Sequence, residues 1–149
     1  MVCEAKIQIN APKESIWRVI TNIENAANTI RAIDSLEVLE RPASGLVGLK
    51  WRETRKMMGK DATETMWITD AVENEYYKTR AESHGCVYIS CLRITEANGT
   101  NTLSMSIESQ PQTLMAKLMG VPMMMLLKGM MKKMLLKDLQ DIKTAAENA

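Results

Sequence analysis

Phenylalanine is absent from this chain, histidine occurs once, and the three cysteines, Cys3, Cys86 and Cys91, show no CxxC spacing. Each shortage closes off a class of function. An odd cysteine count beside a single His84, itself next to Gly85 in a turn-like stretch, argues against a zinc site and against a Cys/His nucleophile. Excess charge of either sign is missing too. The 19 Lys+Arg and 18 Asp+Glu leave a formal +1, so the chain as a whole has no electrostatic case for nucleic acid. The longest uncharged apolar run, Leu118 to Leu127, is ten residues, whereas a membrane-spanning helix needs about 20. Met1-Val2-Cys3-Glu4-Ala5-Lys6 lacks the basic start and apolar core of a signal peptide, so a soluble, cytoplasmic protein is expected. No cofactor is expected.

What remains is a chain of 149 residues, the size of one domain spanning 1–149. Methionine is plentiful. Eight of the 13 lie between Met115 and Met134, where a flexible thioether suits an irregular apolar surface. Five Lys and no acidic residue lie between Glu108 and Asp138, a pattern that fits a solvated helix face or a surface for an anionic membrane or acidic partner.

The end of the chain reads as a long helix. From Leu127 the apolar residues fall at Leu127, Met131, Leu135, Leu139, Ile142 and Ala146, while Lys133, Lys137, Gln140, Asp141 and Thr144 fall opposite. Gly120-Val121-Pro122 predicts an interruption, with a short lead-in and a main helix starting near Pro122 and reaching about Glu147. Such a helix needs a sheet to cover.

The strands supply one. Val2 to Ile9 alternates, Pro12 to Ile23 gives a short helix, Asn22 to Asn28 a second short helix or turn, and Ser35 to Glu40 alternates again. From there turn signals recur at Ser44-Gly45, Gly59-Lys60, Glu73-Asn74, His84-Gly85 and Asn98-Gly99, as in an antiparallel meander. Two-residue loops fix register, and so they fix faces. A loop at Gly59-Lys60 pairs Arg55 with Glu64, Glu53 with Met66 and Trp51 with Ile68. One at His84-Gly85 pairs Ala81 with Tyr88, Thr79 with Ser90 and Tyr77 with Leu92. One at Asn98-Gly99 pairs Ile94 with Leu103, Leu92 with Met105 and Ser90 with Ile107. Lys50, Arg52, Lys56, Lys78 and Arg80 then belong in water. Trp51, Glu53, Arg55 and Met57 point inward with the partners named, and an Arg55–Glu64 ion pair across the hairpin is expected.

Four stretches carry a resemblance: Asn10 to Ile20, Val47 to Arg55 with Gly59-Lys60 behind it, Gly99-Thr100, and Lys137 to Lys143. In these the chain resembles the START-like, or SRPBCC, superfamily, in its polyketide cyclase/dehydrase-like branch. The resemblance implies an α+β helix-grip fold: a curved seven-stranded antiparallel sheet wrapped around the long C-terminal helix, with two short helices between strands 1 and 2. It also implies a cavity for an apolar small molecule such as a lipid, polyketide or quinone. The residues expected to line it are Trp51, Glu53, Arg55, Glu64, Met66, Tyr77, Thr79, Tyr88, Ser90 and Met105 from the sheet, and Met119, Met123, Leu127, Met130 and Met131 from the helix. No catalytic residue is assigned, and a carrier or sensor is expected ahead of a cyclase or dehydratase using Glu53 or Glu64 as acid or base. A peripheral membrane or protein contact through the helix is the third expectation.

Overall fold

Apolar alternation with period two makes the first element a half-buried strand, β1 (Val2–Ile9), which buries Cys3, Ala5 and Ile9 and exposes Glu4, Lys6 and Gln8. The computed structural model describes residues 2–57 and 59–149, without side-chain detail for 119–126. Pro12, with its fixed φ, caps α1 (Lys13–Thr21), one residue outside the first helical position expected for it. A 3-10 turn (Ile23–Asn25) and α2 (Ala26–Thr29) follow. Then come β2 (Ile33–Glu40), β3 (Lys50–Met57), β4 (Lys60–Val72), β5 (Tyr76–Ser83), β6 (Cys86–Ala97), β7 (Thr100–Pro111) and α3 (Leu114–Glu147). The strands form one antiparallel sheet in the order β1-β7-β6-β5-β4-β3-β2. Breaks in register between β2 and β3 and between β4 and β5 bend it, as bulges do.

Two hairpins have the register their turns dictate. Tyr77 opposes Leu92, Thr79 opposes Ser90, and Ala81 opposes Tyr88; Ile94 opposes Leu103, and Leu92 opposes Met105. Both turns have positive φ at each central residue, His84-Gly85 and Asn98-Gly99, the conformation whose twist matches paired strands. The β3–β4 hairpin differs. Met57 opposes Lys60, so the strands close one position earlier than expected, with Gly59 in the turn at φ 78°. Trp51 therefore faces Met66, Glu53 faces Glu64, and Arg55 faces Ala62. Because the partners move by two positions, every side chain keeps its face. Met57, expected inside, lies at the strand end and is exposed.

The expected division of the last helix at Pro122 is also corrected. Helix α3 begins at Leu114, where the Thr113 side chain accepts the Ala116 N–H at 3.0 Å. Thr113 was a start signal that the expectation left unweighed against the cost of proline. The far half of α3 lies on β1, β7 and α1. Leu135, Leu139, Ile142 and Ala146 are buried there with Ile16, Ile20, Ile9 and Leu103, while Lys133 and Lys137 are exposed. Gly129 lies in this helix, and a β-carbon added to it would meet nothing within 4 Å. Gly129→Ala should therefore raise the unfolding free energy by about 0.5 to 1 kcal/mol, measured by urea denaturation.

Packing divides the concave face into two halves. The half under Leu135 to Ala146 is filled. Toward the β3–β4 and β5–β6 turns, Glu64, Met66, Tyr88, Ser90, Met105 and Ile107 stay half-buried, so the sheet face there is covered only in part.

Candidate functional site

Strand β3 puts Trp51, Glu53 and Arg55 on the inner face at every second position, and they form a connected row. The Trp51 indole N–H donates to Glu53 Oε1 at 3.2 Å, and Arg55 Nε donates to Glu53 Oε2 at 2.9 Å. Arg55 Nη1 lies 2.8 Å from Asp138 Oδ2 on α3. The expected Arg55–Glu64 pair is thus replaced. Asp138, 2% exposed, takes the place that Glu64 was given, because the actual register sets Glu64 opposite Glu53. One guanidinium is shared by two buried carboxylates, Asp138 and Glu53, the latter 7% exposed. The cluster holds an excess of one negative charge.

Burial and the neighbouring charges shift two of its members, Arg55 and Asp138. Burial pulls the Arg55 guanidinium down, but Asp138 and Glu53 outweigh it and hold its pKa above the ordinary value. Burial lifts Asp138 above the usual carboxylate range, with Glu53 and Asp141 adding to the lift and Arg55 opposing it. Asp138 Oδ1 is buried and has no hydrogen-bond partner among the described residues. Glu64, half-buried, is likewise raised by burial, lowered somewhat by His84 and raised by Glu53.

The other expected residues fall in three groups. Met66, Thr79, Tyr88, Ser90 and Met105 share the inner face with the cluster; Thr79 is buried and the others are half-buried. Burial, followed by Cys86 and Glu64, pushes the Tyr88 phenol up to about 12. Tyr77 is buried, but its hydroxyl is committed, donating to the Ile20 carbonyl at 3.0 Å while its ring meets Trp17 edge-on at 6.2 Å. It ties β5 to α1. On the helix, Leu127 and Met131 are half-buried, whereas Met130 is 50% exposed and does not belong to the sheet-facing set. Met130 lies one position before Met131, and a 3.6-residue period turns it away from the stripe. The side chains of Met119 and Met123 lie outside the described residues.

Asp138 is the one member of the cluster absent from the expectation. Its signal was present, since it stands three residues after Leu135 and four before Ile142, on the buried stripe itself. Among the described residues no three His, Cys, Asp or Glu side chains gather as a metal site requires, and no helix is long and apolar enough to cross a membrane.

A seven-stranded antiparallel sheet folded around a long C-terminal helix, with short helices between its first two strands, is the helix-grip architecture. The chain belongs to the family described as polyketide cyclase / dehydrase and lipid transport, whose model matches residues 2–147. No curated protein sequence matches it. Among solved structures it is similar to a protein of Thermus thermophilus, at 16% identity and a TM-score of 0.79 over 98% of this chain and 97% of that one. It is also similar to the ZhuI aromatase/cyclase of Streptomyces sp. R1128, at 15% identity and 0.78 over 99% and 94%. A START superfamily protein of Mycobacterium smegmatis aligns at 14% and 0.69, over 99% and 94%. At such identities these likenesses show the shared fold.

Proposed function

We propose that this protein binds an apolar small molecule, as carrier or sensor, on the half-open inner face between β3–β7 and α3, with the Glu53–Arg55–Asp138 cluster holding the polar end of the ligand. The observation that carries this reading is the cluster itself. Ionised groups buried on the same face as Met66, which opposes Trp51, are costly unless something uses them, and a pocket that is mostly apolar with a few convergent polar groups is the usual form of a ligand site. The family description, which includes lipid transport, supports the same class of ligand.

Native mass spectrometry of the protein purified from its own host should show a bound small molecule that solvent extraction releases. Titration of the apo protein with that molecule then tests the cluster. Glu53→Gln should weaken binding at least about tenfold, or about 1.4 kcal/mol, with the circular dichroism spectrum unchanged. Unchanged affinity would remove the cluster from the site.

A second reading has its own observation. Glu64 is half-buried with a raised pKa, the state of a carboxyl group suited to general acid catalysis. It would make the protein a cyclase or dehydratase acting on polyketide-like substrates. Its test is turnover of a poly-β-ketone thioester, which Glu64→Gln should abolish.

A further inference from the structure

The most exposed large apolar side chains of the described chain are gathered in the first turns of α3: Leu114 at 75%, Met115 at 71% and Leu118 at 69%. They do not stand alone. Strand β7 ends beside the β5–β6 turn, where Cys86 opposes Pro111 and the Gln112 N–H donates to the Gly85 carbonyl at 2.8 Å. Antiparallel order puts the β3–β4 turn at that same end of the sheet, and there Met57 is exposed between Lys56 and Lys60. One end of the fold therefore presents protruding Leu and Met side chains from two separate elements.

The charge around them has one sign along the helix. Lys117, Lys128, Lys132, Lys133 and Lys137 are all exposed, none has a carboxylate partner among the described residues, and α3 carries no acid before Asp138. We propose that this end of the fold docks on an anionic lipid bilayer, with Leu114, Met115 and Leu118 entering the acyl boundary and Lys117, with the exposed Lys60 of the same end, lying at the level of the lipid phosphates, while the lysines farther along α3 keep the approaching face positive. The combination discriminates between partners. A second copy of the chain would bring a second Lys117 and Lys60 against these, with no acid on α3 before Asp138 to meet them, and like charges repel. A nucleic-acid backbone would use the lysines but has no place for three adjacent apolar side chains. An interfacial helix has apolar residues that enter the lipid and basic residues that meet anionic headgroups, and both sets are exposed here. The inference stands apart from the ligand reading, since it uses only outward-facing residues.

The test is flotation of the full chain with vesicles of phosphatidylcholine alone and of phosphatidylcholine with phosphatidylserine. Flotation with the anionic vesicles only, weakening as salt is raised, is the expected result. Leu118→Glu and, separately, Lys117→Glu should each reduce the bound fraction several-fold, with thermal melts unchanged because both side chains are exposed. Three results would overturn the proposal: no flotation with either vesicle, equal flotation with both, or full flotation of both variants. A concentration-dependent dimer by light scattering that Leu118→Glu abolishes would assign the face to a second copy instead.

Discussion

Arg55→Met should lower the unfolding free energy by about 3 to 5 kcal/mol at neutral pH, because it leaves Glu53 and Asp138 buried without their shared cation. Glu53→Gln should cost much less, since Arg55 then keeps one carboxylate. The pH dependence separates this account from a loss of packing. The folded-state pKa of Asp138 already lies above its ordinary value, so the folded protein holds a proton that the unfolded chain has released between those two values. The cost of the anion is fully present above the folded pKa and is relieved as pH falls through it. Removing the guanidinium, which opposes that shift, raises the folded pKa further, so the variant should regain part of its stability on mild acidification. Urea denaturation of both proteins at neutral and at mildly acidic pH measures this. An equal loss at both values would mean that Arg55 acts by packing.

The second large effect is expected at Leu135, 1% exposed in the filled half of the interior. Leu135→Ala removes the branched end of the side chain from a packed site and should cost about 2 to 5 kcal/mol, depending on how far Leu139 and Ile16 can close the cavity. Lys133→Ala, two residues earlier and in water, should stay within about 0.5 kcal/mol. Similar losses from both would mean that the buried stripe of α3 has been wrongly assigned.

How much of this was legible in the sequence depended on how local the governing interaction is. His84-Gly85 and Asn98-Gly99 each fix a turn by their own backbone preferences, and the registers of two hairpins followed from them. At Gly59 the glycine marked the hairpin without saying which loop position it filled, so the cross-strand partners came out two positions off while the faces survived. The stripe from Leu135 to Ile142 was visible as a period, and so was its burial. What was not visible is the reach of Arg55 across to α3, because no local pattern relates a strand residue to one more than eighty positions away. Asp138 was hidden by its charge. A carboxylate on an apolar stripe reads as an interruption until its partner is known.

The sheet order has a consequence for how the chain comes to be folded. β1 lies at one edge of the sheet, paired with β7, and the residues it pairs with lie about a hundred positions downstream. During synthesis the first strand has no sheet partner until about a hundred further residues have been made, whereas β3 to β7 can pair hairpin by hairpin as they emerge. Closing so long a loop is entropically unfavourable before α3 arrives to cover the joint, and contacts of this separation belong to slow-folding topologies. Nucleation is thus favoured in the β5–β6–β7 meander, with the β1 edge and the far half of α3 docking together as the closing step.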